Sequence, residues 1–264
     1  MRRRVIALLT DYGLSDPYVG EVKAVIKSVC NFVDIIDITH EVRPFDVEHG
    51  AFLLLLSYRF FPKGTIFEAV VDPGVGSARR GLVINSRNYY FVGPDNGLLY
   101  PAANEDGILA VYSIDERYYA RPYGETFHGR DVFARVAAEI AKGRRPRMHR
   151  LKRDELVRLE FRFELEEGLK RASGRVLHVD RFGNLVTSIP QEALRFIPVG
   201  AIMRLKIGEA RYDARLVKSY AEGRGGELIA LFGGTGFLEI SVNQCSASKF
   251  LSVEQGEEVE IELI

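Results

Sequence analysis

The sequence predicts an α/β fold in its first half, with a central, mostly parallel sheet flanked by helices, and an all-β barrel or sandwich in its second half. The first half alternates continuous apolar runs with segments of helical apolar spacing, whereas the region beyond Arg171 holds short runs divided by turn residues. A length of 264 residues suits two domains that each bury a core. We expect an α/β domain over residues 1–150, a connector over 151–170 and a β domain over 171–264.

The first five elements alternate between strand and helix. Residues 5–9 form an apolar run that ends at Thr10-Asp11-Tyr12-Gly13, as a buried strand opening into a loop does. Asp16 and Pro17 suit the N-cap and first position of a helix that ends near Cys30. The next three elements are a strand, a helix and a strand, over residues 33–38, 47–61 and 65–71. This order predicts a parallel sheet with right-handed crossovers, in which ligands bind beyond the carboxyl ends of the strands.

The later elements are shorter. A hairpin over residues 82–84 and 89–92 precedes an amphipathic helix over 131–142, for which Asp131 is the expected N-cap. Residues 143–153 are rich in Arg, Lys and Pro and predict a solvated connector. The second half contains seven predicted strands. They span residues 174–179, 185–189, 202–207, 211–217, 228–231, 237–242 and 258–263.

The amino-acid composition argues against several classes of binding partner. Lys plus Arg and Asp plus Glu number 36 each, so no net charge draws the chain to nucleic acid or anionic lipid, and we expect neither. The basic start, Met1 to Arg4, and the apolar run after it are too short for a signal peptide, and no apolar run approaches the roughly 20 residues of a membrane span. Cys30 and Cys245 form neither a disulfide framework nor a zinc-type cluster. We therefore expect a cytoplasmic protein.

Candidate ligand-binding residues follow the first and third strands. Asp11 could accept hydrogen bonds from the vicinal hydroxyls of a ribose, or could cap a loop; the ribose interpretation is favoured for Asp11 and the helix cap for Asp16. In Asp72-Pro73-Gly74-Val75-Gly76-Ser77-Ala78-Arg79, the glycines could return Arg79 to the Asp72 carboxylate. An ordinary turn followed by a surface arginine is the alternative. The segment lacks the Gly-Lys-Ser/Thr ending of a phosphate-binding loop.

Three further segments could carry chemistry. His128 stands at a helix entrance beside a glycine, where it could transfer protons or be structural. Within Asp180-Arg181-Phe182-Gly183-Asn184, the Asn184 amide matches adenine, although Gly-Asn is also ordinary hairpin chemistry. Phe182 could stack on a base, but a core position is favoured. The glycine-rich residues 232–243 are weak evidence for a ligand site because turns between strands look the same.

Several of these motifs occur together in one order along nearly the whole chain. They are Thr10-Asp11-Tyr12-Gly13 with Asp16, Tyr18-Val19-Gly20, Asp72-Pro73-Gly74-Val75-Gly76, Phe127-His128-Gly129-Arg130-Asp131, Asp180-Arg181-Phe182-Gly183-Asn184 and Phe237-Leu238-Glu239-Ile240. Together they resemble the S-adenosylmethionine (SAM) hydrolase family, also called SAM hydroxide adenosyltransferases, which is related to bacterial fluorinases and chlorinases. The resemblance implies a carboxy-terminal β-barrel and a homotrimer, with sites between one subunit's first domain and its neighbour's second.

The resemblance also implies an activity and a set of site residues. The expected reaction is hydrolysis of SAM, as substrate, to adenosine and methionine, with no separate cofactor and no metal. Asp72, Arg79 and His128 match the family's hydroxide-generating residues, Asp11 its ribose ligand and Asn184 its adenine ligand. Looser substrate-pocket assignments fall on Asp16, Asp180, Phe182, Ser188, Glu239 and Val242.

The differences from other members of this family bear on the nucleophile. The resemblance implies water rather than halide, because Gly129 stands where the fluorinase has a halide-binding serine. Gly233-Gly234-Thr235 replaces a more serine-rich segment, which leaves recognition of the methionine end open. Three alternatives remain: a halogenase-like activity, a nucleoside-binding regulator without turnover, and a metal-dependent phosphoesterase built from Asp11, Asp72, His40 and His128.

Overall fold

A seven-stranded sheet forms the centre of the first half of the chain, with the strand order β2-β1-β3-β5-β4-β6-β7. Its strands are β1 (Val5–Thr10), β2 (Asp34–Thr39), β3 (Ile66–Val70), β4 (Gly81–Ser86), β5 (Tyr90–Pro94), β6 (Ile108–Ile114) and β7 (Met148–Leu151). The computed structural model describes residues 4–119 and 126–264, so Met1 to Arg3 of the basic start lie outside it. The chain divides into a first unit, residues 1–160, and a second unit, residues 161–264.

The sheet is parallel on one side and antiparallel on the other. Strands β2, β1, β3 and β5 pair in parallel, and β4, β6 and β7 continue the sheet in antiparallel pairs. The helices of the first unit are α1 (Tyr18–Val29), α2 (Val47–Ser57), α3 (Tyr100–Asp106), α4 (Glu116–Tyr119) and α5 (Ala134–Ala141). Short 3-10 turns follow α2 at Tyr58–Phe60 and β7 at Arg153–Glu155. The predicted α/β fold is confirmed.

The core of the first unit lies between the sheet and its helices. Ile6 and Leu8 of β1, Val22 and Ile26 of α1 and Val136 of α5 belong to one fully buried cluster. The spacing of four residues between Val22 and Ile26 places both on one face of the helix, which explains why the apolar period of the sequence located α1 within one residue at each end. Burial of this face holds α1 against α5 and the sheet.

Three local predictions for the first unit are wrong. Pro17 itself takes the N-cap position of α1, with φ −73° and no side-chain cap, which leaves Asp16 exposed outside the helix. Asp131 does not cap a helix, since it lies inside a π-helical turn, Gly129–Phe133, that continues into α5. Residues 148–151 of the predicted connector form the edge strand β7. Its inner residues, His149 and Arg150, are exposed, and polar side chains suit an edge strand as well as a connector.

The second unit is a closed barrel. Of the two predicted architectures, barrel and sandwich, the barrel is therefore confirmed. Its strands are β8 (Glu164–Glu166), β9 (Arg171–Val179), β10 (Leu185–Pro190), β11 (Ile202–Ile207), β12 (Ala210–Leu216), β13 (Leu228–Phe232), β14 (Phe237–Val242) and β15 (Glu258–Leu263). The order β10-β14-β13-β12-β11-β15-β9 closes through pairing of β9 with β10, and β8 adds to β9. The pairs are antiparallel except β12 with β13, which is parallel. A helix, α6 (Ala247–Leu251), and 3-10 turns at Glu167–Leu169, Gln191–Leu194 and Tyr220–Glu222 complete the unit.

The described part of the chain contains no helix with the length and apolar character needed to cross a membrane.

Candidate active site

The loop after β3 folds back on itself and returns Arg79 to Asp72. Two consecutive turns do this: the Val75 N–H donates to the Asp72 carbonyl at 3.2 Å, and the Ser77 N–H donates to the Gly74 carbonyl at 3.0 Å. Gly76 has φ +76°, a conformation that glycine adopts without a steric penalty. The contact between Asp72 and Arg79 that the glycine spacing predicted is therefore present.

Arg79 and Asp72 form a bidentate ion pair. Arg79 Nε lies 3.0 Å from both carboxylate oxygens of Asp72, and Nη2 donates to Oδ2 at 2.6 Å. The two side chains are only 10% and 6% exposed, so water does little to screen the pair. Such charge-assisted forks are the stronger kind of hydrogen bond and fix the plane of the guanidinium.

His128 joins this pair from the turn that precedes α5. Its Nδ1 lies 2.7 Å from Arg79 Nη2, and its ring meets the buried Phe133 edge-on with centroids 6.5 Å apart. The other ring nitrogen, Nε2, is buried and has no hydrogen-bond partner within residues 4–119 and 126–264. A buried polar atom without a partner is costly, so Nε2 is available to a ligand or water molecule.

Glu116, at the start of α4, is a fourth member that sequence analysis missed. Its Oε2 accepts a hydrogen bond from Arg79 Nη1 at 2.6 Å and lies 2.7 Å from His128 Nδ1, and its Oε1 accepts from the Gly81 N–H. The local sequence, Asp-Glu-Arg-Tyr-Tyr, looks like a solvated segment, and β6, which delivers Glu116, was not predicted. We find no signal in the sequence that would have identified it.

The charged groups of this cluster stabilise one another's ionised forms. Burial by itself would lower the pKa of Arg79, but the hydrogen bonds and charges of Asp72 and Glu116 outweigh burial and raise that pKa. Burial would likewise raise the pKa of Glu116, but its contacts with His128 and Arg79 lower it. Arg79 is thus a permanent cation and Glu116 an anion, both held beside the imidazole.

Asp11 lies near this cluster at the end of β1. Burial raises the pKa of its carboxyl group, the Phe45 N–H partly opposes that change, and the charge of Asp72 adds to it. Asp11 Oδ2 accepts the Phe45 N–H at 2.9 Å, and Phe45 has φ +66° with its ring 72% exposed. Asp16, in contrast, lies on the exposed loop before α1.

Gly129 packs directly against the Tyr12 side chain. A Cβ atom at position 129 would lie 2.1 Å from the Tyr12 hydroxyl oxygen, a distance that no real contact allows. Tyr12 is held in place by edge-to-face contacts with Tyr18 and Phe127, with centroids 6.2 and 5.4 Å apart. In this packing a serine at position 129 would have no room.

In the second unit, Asp180 and Asn184 close the turn between β9 and β10. Asp180 Oδ1 accepts the Phe182 and Asn184 N–H groups at 2.9 Å, and Oδ2 accepts Asn184 Nδ2 at 2.8 Å. Asn184 is buried. Phe182 is 78% exposed, so the favoured core position is wrong: the tip of a four-residue turn carries its ring away from the barrel.

The remaining predicted residues of the barrel divide into two groups. Glu239 is buried and accepts hydrogen bonds from Tyr220 and, at 2.9 Å, from Ser241. Burial and the contact with Glu239 raise the pKa of Tyr220, which sequence analysis did not single out. Ser188 donates to the Arg162 carbonyl at 2.6 Å and Val242 packs in the barrel core, so both make contacts within the barrel itself.

The metal-site hypothesis gains nothing from the arrangement of its residues. His40 Nδ1 bonds Thr10 Oγ1 at 2.8 Å and its Nε2 lies 3.1 Å from Asp37, so the recorded partners of its ring are not residues of the hypothesis. Over the described ranges, no three His, Cys, Asp or Glu side chains are grouped as ligands of a metal ion. The four residues of that hypothesis therefore do not form one centre.

Comparison with known families matches both units. Residues 6–150 match the SAM hydroxide adenosyltransferase N-terminal domain, and residues 174–260 match the corresponding C-terminal domain. These two matches cover most of the chain and include every residue of the Asp72 cluster.

Individual relatives are similar in sequence to this chain along nearly their full length. Proteins named (R)-S-adenosyl-L-methionine hydrolase from Methanocaldococcus jannaschii and Thermus thermophilus are 40% and 36% identical over 97% and 96% of this chain, and over 95% and 97% of their own lengths. A protein named fluorinase from Nocardia brasiliensis is 28% identical over 99% of the chain and 98% of its own length. The crystal structure of an uncharacterised conserved protein from Thermotoga maritima superposes with a TM-score of 0.89 at 38% identity, covering 97% of this chain and 99% of that one.

Proposed function

The chain belongs to the SAM hydroxide adenosyltransferase family, and we propose that it is an enzyme that hydrolyses SAM to adenosine and L-methionine. The observation that carries this proposal is the buried His128 Nε2, which has no partner among the described residues and belongs to a ring held by Arg79 and Glu116. An imidazole nitrogen of this kind can take a proton from a water molecule near neutral pH. The relatives named SAM hydrolases support the substrate.

The reaction requires a nucleophile but no acid for the leaving group. The water oxygen forms a bond to the ribose C5′ carbon while the bond from C5′ to the sulfonium sulfur breaks. The bonding electron pair stays on sulfur, which leaves as the neutral thioether of methionine. His128 Nε2 accepts the proton from water, and the fixed charge of Arg79 stabilises the hydroxide character of the nucleophile. Asp72 holds Arg79 in the orientation that this requires.

We assign the predicted substrate-binding residues to two sets, those that would contact the substrate and those that would act indirectly. Asp11 would hold the ribose hydroxyls through its carboxylate, and Asn184 would bind adenine through its amide. Asp180 and Glu239 are anions suited to the ammonium group of methionine. Exposed Phe182 and Asp16 remain proposed substrate contacts. Ser188 and Val242 would act indirectly, by fixing the barrel strands that carry the others.

The stereochemistry at sulfur forms a finer part of the proposal. The relatives at 34–40% identity are named for the (R) epimer of SAM. We propose the same preference here. Incubation with an epimer mixture, followed by chiral chromatography of the remaining SAM, should show loss of the (R) epimer first. Equal consumption of both epimers would remove this part of the proposal.

Assembly and location are also proposals. We propose a homotrimer, as the family resemblance implies, and native mass spectrometry of the purified protein tests it. We propose a cytoplasmic location because both cysteines, buried Cys30 and exposed Cys245, are free thiols, which suits a reducing compartment.

The decisive experiment is incubation of the purified protein with SAM and quantification of adenosine and methionine. Equimolar release of the two products supports hydrolysis. Binding of SAM without products would indicate a regulator, and activity that disappears after exhaustive chelation would indicate metal-dependent chemistry. Added fluoride or chloride that diverts product to 5′-halogenated adenosine would indicate a halogenase instead.

A further inference from the structure

Glu116 lies where it can determine which nitrogen of His128 carries the proton. Its Oε2 is 2.7 Å from His128 Nδ1, and Arg79 Nη2 lies at the same distance from that nitrogen. If Nδ1 donates to Glu116, Nε2 carries a lone pair. If Nδ1 accepts from Arg79, Nε2 carries the hydrogen instead and cannot take a proton from water.

The charge of Glu116 favours the first arrangement. Besides His128, its carboxylate oxygens lie against two donors, the Arg79 guanidinium and the Gly81 N–H, which stabilise the ionised form. An ionised carboxylate only accepts hydrogen bonds, so a separation of 2.7 Å from a nitrogen lone pair would be repulsive, whereas an N–H at that nitrogen makes a strong bond. Arg79 Nη2 already donates to Asp72 Oδ2 at 2.6 Å and does not depend on Nδ1 for an acceptor.

The backbone at Gly81 also fixes the position of the Glu116 carboxylate. A Cβ atom on Gly81 would lie 3.2 Å from the Glu116 carboxyl carbon and 2.8 Å from the Phe133 ring. The carboxylate therefore reaches the Gly81 N–H because residue 81 has no side chain. With a backbone donor fixing one oxygen, the other oxygen is directed at Arg79 and His128.

We propose that Glu116 is a positioning residue that holds His128 in the tautomer protonated on Nδ1 and so leaves Nε2 free to accept a proton from the attacking water. The role of Nε2 rests on the proposed hydrolysis, whereas the tautomer is a property of the free protein. The two can therefore fail separately.

The tautomer is measured first, without substrate. The full-length protein is labelled with ¹⁵N-histidine, and ring nitrogens are observed in long-range proton–nitrogen spectra at mildly alkaline pH; a His128→Gln variant identifies the His128 signals. We expect a protonated Nδ1 and an unprotonated Nε2 in the wild type, and the reverse in Glu116→Ala, where Arg79 is the remaining polar partner of Nδ1. A wild-type ring protonated on Nε2 or on both nitrogens, or an unchanged ring in Glu116→Ala, overturns the proposal.

Turnover is measured second. A histidine in the wrong tautomer costs a serine protease about 10⁴-fold in kcat, so we expect kcat of Glu116→Ala to fall by roughly 10²- to 10⁴-fold with little change in KM. The isosteric Glu116→Gln keeps the shape of the site if the alanine variant is unstable, and its kcat should fall less. Equal kcat in wild type and Glu116→Gln, with Glu116→Ala folded and active, would contradict the positioning role.

A matched control separates tautomer control from general loss of an ion pair. Asp95→Ala removes the equally short Arg80–Asp95 pair, at 2.6 Å, whose carboxylate is 2% exposed. We expect it to lower stability while leaving the His128 tautomer and kcat near wild type. If wild type shows no SAM hydrolysis, the proposed function fails, but the nitrogen spectra still decide the tautomer.

Discussion

At the residue scale, Arg79 makes directed contacts with three side chains of the cluster. Its guanidinium bonds Asp72 through two nitrogens, bonds Glu116 through the third, and touches His128. A lysine ammonium is a single point of charge and cannot reproduce this planar fork.

Arg79→Lys should keep the positive charge but lose most catalysis. We expect kcat for adenosine formation to fall about 10²-fold or more, because the nucleophile is no longer oriented, while KM changes little. Steady-state assays of product release measure both constants. Arg80→Lys is the matched control, since Arg80 pairs with Asp95 and Glu155 outside the cluster, and it should stay near wild type. An Arg79→Lys enzyme with the kcat of Arg80→Lys would contradict this assignment.

Glu68 is a second residue whose environment makes a measurable prediction. It lies in β3, is 1% exposed, and its Oε2 has no hydrogen-bond partner in the described part of the chain. Burial raises its pKa well above 4.5. Since the unfolded chain ionises near pH 4.5 while the folded chain stays protonated, stability falls as pH rises from there until the folded pKa is reached.

Glu68→Gln should remove this loss. Relative to wild type, its free energy of unfolding should increase between pH 4.5 and the folded pKa by about 1.4 kcal/mol for each pH unit. Urea denaturation between pH 4.5 and 8 measures it, with exposed Glu41→Gln as the control that should follow wild type. A Glu68→Gln curve parallel to wild type at all pH values would show that Glu68 ionises normally.

Single residues also show which contacts could be predicted from the sequence and which could not. The contact of Asp72 with Arg79 was predictable because both belong to one glycine-containing turn, so local backbone freedom determines it. The contacts of Glu116 were not predictable, because its partners Arg79 and His128 are 37 and 12 residues away in the sequence. Only the order of the strands in the sheet brings the three residues together. The Phe182 prediction failed because an aromatic residue at a turn tip cannot turn back into the core.

At the element scale, the π-helical turn Gly129–Phe133 sets the position of His128. Such turns insert an extra residue into a helix and occur often at functional sites. Here the turn brings Gly129 against the Tyr12 hydroxyl and Phe133 beneath Arg79, whose guanidinium carbon lies 5.4 Å from the ring centroid. The sequence predicted one regular helix, because apolar spacing over so few residues does not distinguish a π-turn from an α-turn.

This packing predicts a non-additive pair of substitutions. Gly129→Ala should destabilise the protein by about 1–3 kcal/mol, the usual cost of overpacking, because its Cβ atom would meet the Tyr12 hydroxyl. In a Tyr12→Phe background that hydroxyl is absent and the cost of Gly129→Ala should be smaller. Urea denaturation of the four proteins completes the cycle. Equal costs in both backgrounds would show that the Tyr12 hydroxyl does not restrict position 129.

At the scale of the whole molecule, each unit carries its own set of proposed contacts. The first unit holds Asp72, Arg79, Glu116 and His128, the groups proposed to act on water, and the second holds the turn of Asp180 and Asn184. The barrel strands were predictable because each is a short run with turn residues at its end. The closing pair of β9 with β10 was not, because these strands meet with a register shift between Val186 and Thr187 and approach closely at Gly174, where a Cβ would meet Ser188 and Ile189.

The division between units predicts that substitutions separate binding from turnover. Asn184→Ala removes the proposed adenine contact and should weaken adenosine binding about tenfold, the scale of one lost hydrogen bond at a buried site. Isothermal titration with adenosine measures this, and circular dichroism checks the fold. Asn243→Ala is the matched control, since its side-chain amide likewise donates within the second unit, to the Gly223 backbone carbonyl at 2.7 Å, and it is not a proposed substrate contact. His128→Gln should bind adenosine like wild type yet lose turnover. Wild-type affinity in Asn184→Ala would remove adenine recognition from this turn and leave Asn184 as a structural partner of Asp180.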